Sequence, residues 1–122
     1  MKIVIKGNPI TKKNSQRIVL IGGKPRILPS QKYKEYEARA MLYMPRLKTP
    51  ISDPVNVRCV YFMESHRRVD LTNLLEATSD ILVRYGILED DNSNILWSVD
   101  GSRVMYDKSD PRVEIEITRK EE

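Results

Sequence analysis

Apolar residues recur along the chain with two different periods, and the change from one to the other marks its elements. Lys2 to Lys6 (Lys-Ile-Val-Ile-Lys) reads as a short strand, closed by Gly7-Asn8-Pro9. Val19-Leu20-Ile21 and Pro25-Arg26-Ile27-Leu28 flank Gly22-Gly23, a dipeptide suited to a tight hairpin turn. From Ser30, an N-cap residue, to about Met44 the period becomes helical. Tyr33, Tyr36 or Glu37, Ala40, Met41 and Met44 are expected on the packed side of this helix, with Lys32, Lys34 and Arg39 outward. Pro45 to Pro54 holds three prolines and reads as a connector. Val55 to Met63 alternates again, placing Val55, Val57, Cys59, Tyr61 and Met63 on one face and Asn56, Arg58, Val60 and Phe62 on the other.

A second helix follows, in which Leu71, Leu74, Leu75, Thr78, Ile81, Leu82 and Tyr85 form one stripe, opposite Thr72, Asn73, Glu76, Asp80 and Arg84. Asp70 stands where a capping carboxylate is expected, and Gly86 where a left-handed C′ residue is. Asn94 to Val99 reads as a strand with Ile95, Trp97 and Val99 on one side, and Asp100-Gly101 as a turn. Ser102 to Tyr106 continues it briefly. Val113, Ile115 and Ile117 alternate with Glu114, Glu116 and Thr118 as a last, half-exposed strand. The order β, hairpin, α, β, α, β, β predicts an α/β (α+β) fold. Residues 1–122 are expected to form one domain, with two main helices packed against a small mixed sheet.

Composition narrows the function. No secretory segment or apolar run of about 20 residues is present, so neither export nor a membrane partner is expected. A single Cys59 and a single His66 exclude an internal disulfide and a zinc site built from such residues. The expected location is the cytoplasm, and no nucleotide cofactor is expected. Charge divides unevenly: residues 1–50 carry twelve Lys/Arg against two acids, net +10, and residues 51–122 carry nine against fifteen, net −6. Such a division suits a protein that holds phosphates on one surface and a metal on another.

Two stretches carry candidate chemistry. Glu89-Asp90-Asp91 follows the second helix directly, where the helix dipole favours cations, so a bound cation such as Mg²⁺ would explain three carboxylates there. The polar loop around Lys12, Lys13, Asn14 and Arg17, with Arg67 and Arg68 before Asp70, is expected to contact DNA backbone. His66 reads better as an exposed backbone or phosphate contact than as a proton carrier. Tyr33 and Tyr36, at helical spacing, read as core.

Asp70-Leu71-Thr72-Asn73-Leu74, followed by Asp80, Gly86 and Asp90-Asp91-Asn92 at these spacings, resembles the signature of the RusA family of Holliday junction resolvases. The resemblance implies a dimeric Mg²⁺-dependent nuclease that nicks four-way DNA junctions symmetrically. It also implies metal binding at Asp70 and Asp91, with Asp90 alongside. Two positions depart: Thr72 stands where the family has a second aspartate, and Glu76 where it has a catalytic lysine. Glu76 is one helical turn from Thr72 and long enough to supply the missing carboxylate as a catalytic residue, with Asn73 and Asp80 as supporting groups behind the ligands. Lys12, Lys13 and Arg67 are candidates for the lost positive charge. A second reading is a junction-binding protein without catalysis, and a third, weaker one, is a single-strand or RNA-binding module. A phage or prophage origin accords with the resemblance.

Overall fold

Val55–Met63 forms the nine-residue strand β4, whose alternation sets the layers of the molecule. In the computed structural model, which describes residues 1–12, 17–28 and 30–121, Val55, Val57, Cys59, Tyr61 and Met63 are all buried. Their neighbours Asn56, Arg58 and Phe62 are partly exposed on the opposite face. The other elements are β1 (Lys2–Lys6), β2 (Arg17–Ile21), β3 (Lys24–Leu28), α1 (Gln31–Ala40), α2 (Leu71–Arg84), β5 (Leu96–Ser98), β6 (Arg103–Tyr106) and β7 (Arg112–Arg119).

β7 lies between β1 and β4 and is antiparallel to both. The far edge of β4 is shared by β5, which sets Leu96 opposite Val55, and β6, which sets Tyr106 opposite Met63, both parallel to it. Parallel neighbours need a crossover, and α2 provides it by running from the end of β4 back towards its start. The inner face of the sheet (Ile3, Ile5, Val113, Ile115, Ile117 and the buried residues of β4) forms one core with Tyr36 and Ala40 of α1 and Leu74, Ile81 and Leu82 of α2. This is the expected α+β arrangement of two helices against one mixed sheet. A polar link joins β4 to α2 within the core. The Thr78 hydroxyl donates to the Leu74 carbonyl at 3.0 Å, so the Tyr61 hydroxyl, 2.7 Å away, donates to Thr78.

The hairpin of β2 and β3 turns through Gly22 and Gly23, both at positive φ (59° and 77°), as the glycine pair predicts. It forms a sheet of its own, and Ile18, Leu20 and Ile27 are largely exposed on it. Two expectations are corrected. α1 ends at Ala40, and Met41–Tyr43 is a 3₁₀ turn with Met41 56% exposed. Pro45 forces Met44 into an extended conformation (ψ 131°), so the helix cannot reach it. The strand after α2 begins at Leu96 rather than Asn94, because the Asn92 carbonyl accepts the N–H groups of Ile95 and Leu96 and turns the chain there. Ile95 is therefore buried while Trp97 is half exposed, with the Lys120 ammonium 4.9 Å above its ring. No helix among the described residues is long and apolar enough to cross a membrane.

Candidate active site

Asp70 is delivered from β4 through a loop of residues 64–69. At its start the Glu64 N–H donates to Asn8 Oδ1 at 3.0 Å, and within it the Arg67 N–H donates to Ser65 Oγ at 3.3 Å. The backbone of Asp70 takes the N-cap conformation (φ −88°, ψ 123°), and its carbonyl accepts the N–H groups of Asn73 and Leu74. The expected capping by its carboxylate does not occur. Instead Asp70 Oδ2 accepts a hydrogen bond from Asn73 Nδ2 at 3.3 Å, and the exposed carboxylate is in no ion pair with a described residue.

The other end of α2 stops in a left-handed cap. Gly86 (φ 74°) donates its N–H to the Val83 carbonyl, and Ile87 donates to Leu82 at 2.9 Å, the paired bonds of a Schellman motif. Ile87 and Leu88 are fully buried, and Ile51 binds them from the connector by accepting the Glu89 N–H and donating to the Ile87 carbonyl. The acidic run therefore leaves the core from a fixed point. Asp90 accepts the Asp91 N–H at 2.8 Å and Asn92 Nδ2 at 3.1 Å. These bonds, the backbone one first, hold its carboxyl below the ordinary range. Asp91 is exposed, and its carboxylate is in no ion pair with a described residue. Glu89, Asp90, Asn92, Asn94, Ser52 and Ile95 line a shallow depression of about 380 Å³ beside it.

Asp70 and Asp91 thus flank a helix of 14 residues, about 21 Å long at 1.5 Å per residue. Among the described residues, no three of His, Cys, Asp and Glu come together closely enough to hold a metal ion. Thr72 and Glu76 are both exposed on α2. Asp80 is taken up by Lys12, whose ammonium lies 2.6 Å from its carboxylate and 5.7 Å above the Tyr33 ring. Lys12 therefore ties the segment before α1 to α2 in this structure. A second link pairs Arg84 with Glu37 at 3.3 Å, and the Tyr85 hydroxyl donates to the Glu37 carbonyl at 2.8 Å. Burial, with the Glu37 and Asp80 carboxylates nearby, pushes the Tyr33 hydroxyl well above its ordinary range.

Arg67 and Arg68 are exposed and line an open cleft of about 570 Å³ with Asn8, Lys32, Ser65 and Val69, next to Asp70. Lys13 and Asn14 lie outside the described residues, as does the side chain of Arg17, which opens β2. Lys32 joins this cleft although its sequence signal was only that of an outward position on α1. His66 and Tyr106, far apart in sequence, stack with ring centroids 4.0 Å apart. Nothing in the local pattern of either residue signals that contact.

Residues 6–118 match the family model of Endodeoxyribonuclease RusA, from the last residue of β1 into the end of β7. The chain belongs to the RusA family. RusA-family proteins are endodeoxyribonucleases, Holliday junction resolvases that hydrolyse phosphodiester bonds and depend on metal ions. None of the curated proteins compared matches the chain. The oxygen donors of Asp70 and Asp91 have the chemistry a hard divalent cation needs. Within one chain they stand beyond opposite ends of α2.

Proposed function

We propose that this protein is a Mg²⁺-dependent resolvase that makes paired, symmetric nicks in four-way DNA junctions. It acts as a homodimer, in the cytoplasm, with each site drawing on both chains. The observation that carries the reading is the position of Asp70 and Asp91 at opposite ends of α2, each exposed and in no ion pair with a described residue. A two-fold axis that sets two copies of α2 side by side and antiparallel brings the Asp70 end of one chain to the Asp91 end of the other. Two equivalent sites result. A four-way junction has the same symmetry, so the sites face opposing strands.

In each site Asp70 and Asp91 would hold the ion, with Asn73 keeping the Asp70 carboxylate in place. Asp90 already accepts two local hydrogen bonds and shapes the loop that presents Asp91. When bound, Mg²⁺ supplies Lewis acidity at the scissile phosphate. Glu76, on the exposed face of α2, adds a carboxylate where Thr72 has none. Arg67, Arg68 and Lys32 line the cleft that receives the phosphate backbone leading to Asp70.

The test is cleavage of a synthetic four-way junction with and without Mg²⁺, by the natural chain and by Asp70→Asn, with gel-shift binding in parallel. The natural chain is expected to cut only with Mg²⁺, and Asp70→Asn to bind without cutting. Thr72 and Glu76 favour one other reading, a junction-binding protein without catalysis. Binding by the natural chain with no product at any Mg²⁺ concentration would establish that reading instead.

A further inference from the structure

The His66–Tyr106 pair has no part in the metal chemistry, and its exposure sets it apart from the core. The two rings stack with an interplanar angle of 26°, Tyr106 is 43% exposed, and His66 is exposed as well. Tyr106 ends β6 opposite Met63, whose side chain is buried in the helix-bearing layer. Paired residues in a parallel ladder share a face, so the Tyr106 ring stands on the same side of the sheet as α2. β6 is an edge strand, and among the described residues no further strand pairs with it beyond β4.

The pair is also held in position. The Asp107 N–H donates to the Met63 carbonyl at 2.9 Å immediately after Tyr106. The Asp107 carboxylate in turn accepts from Ser109 Oγ at 2.8 Å and pairs with Arg112 at 3.0 Å. On the other side of the stack, His66 is followed directly by Arg67 and Arg68, and Asp70 is four residues on. An exposed aromatic surface therefore adjoins a cationic loop and an exposed carboxylate.

We infer that His66 and Tyr106 form a stacking platform for an unpaired nucleobase of the DNA strand whose backbone runs past Arg67 and Arg68 to Asp70. The inference rests on the nuclease reading above and deepens it. Bases within a duplex are already stacked on their neighbours, whereas bases at a branch point or in a single strand can turn outward onto an aromatic face. The platform thus contributes to the choice of branched over linear DNA, while the arginines bind phosphates in either.

The experiment measures binding in EDTA, where no cleavage occurs, to a four-way junction, to a duplex of the same arm sequence, and to an oligothymidine single strand. A 2-aminopurine at the branch nucleotide of the junction reports base stacking. Tyr106→Ala is expected to weaken junction and single-strand binding roughly 5- to 100-fold, to change duplex binding by less than about twofold, and to abolish the fluorescence change. Its dependence on salt should match that of the natural chain, because no phosphate contact is lost. Tyr106→Phe should bind as the natural chain does, and His66→Ala should weaken binding in the same pattern as Tyr106→Ala. Equal losses on junction and duplex, or no loss on either, would overturn the platform while leaving the resolvase reading untouched. If the natural chain neither prefers nor cuts junctions but binds the single strand through Tyr106, the resolvase reading falls and the platform stands. If it binds neither DNA, both fall.

Discussion

Asp70 occupies the N-cap of α2 without using its carboxylate as a cap, and this separates its chemical role from its structural one. Losing a capping side chain ordinarily costs about 1 kcal/mol. Asp70→Ala is therefore expected to change unfolding free energy by less than about 0.5 kcal/mol in a urea melt, the range of ordinary surface substitutions, while junction cleavage falls to background. A melt showing the full capping loss would return Asp70 to a structural role. Cys59 shows the opposite case, a residue whose place the alternation of β4 already predicted. It is 1% exposed, and burial pushes its thiol from 9.0 up to about 11. The raised value means that the folded state holds the proton more tightly than the unfolded chain. The stability it contributes is complete below pH 9 and is lost as pH rises through 11. Tyr36 and Tyr61 are raised in the same direction by burial, so their contributions begin to fall above pH 10. Unfolding midpoints in urea should accordingly be flat from pH 7 to 9 and decline beyond it. Cys59→Ser would not probe this, because a buried hydroxyl needs a partner of its own; Cys59→Ala should remove the part of the decline that lies between pH 9 and 10.

At the level of elements, α2 was the most legible segment, because its apolar stripe, Asp70 and Gly86 agree on where it lies. Gly86 is required there by its φ of 74°, at which a side chain costs about 1–2 kcal/mol. Gly86→Ala should lower stability by about that amount. It should also reduce cleavage more than junction binding, since the same cap aims the chain from Ile87 into Glu89–Asp91. An unchanged cleavage rate in the folded variant would show that the acidic run does not depend on this cap. β4, β7 and the hairpin were legible for a similar reason: alternation fixes which side of a strand is buried. What alternation does not fix is the neighbour across the ladder. The parallel pairing of β5 and β6 with β4 follows from the path of α2 over the sheet, and strands of three and four residues are too short to announce it. Trp97 does not share a side with Ile95 as the alternation predicts, because the turn at Asn92 takes Ile95 out of the strand, which begins at Leu96. Met41 was misjudged because Pro45 acts on Met44 and so ends the helical stretch earlier than its apolar period does.

In the whole molecule, ion pairs tie the basic first half of the sequence to the acidic second half. Lys2 pairs with Glu116, Lys6 with Asp110, Lys12 with Asp80 and Arg84 with Glu37, each joining one half of the sequence to the other. Lys12, read from sequence as a DNA contact, is bound within this network, and the cationic cleft is left to Lys32, Arg67 and Arg68. The acidic residues themselves were legible, but their separation was not, since it needs the length of α2 and its direction over β4. That separation yields a test that distinguishes shared sites from sites within one chain. Asp70→Asn and Asp91→Asn chains should each be inactive alone. In a mixed dimer, one site receives both substitutions, and the other receives the natural Asp70 of one chain and the natural Asp91 of the other. Co-refolded mixtures should therefore recover nicking of four-way junctions, near half of the dimers being mixed if subunits pair at random. Each mixed dimer should nick one strand without the paired cut on the opposing strand. Sites contained within one chain would leave every dimer in the mixture inactive, because each chain would carry a damaged site of its own.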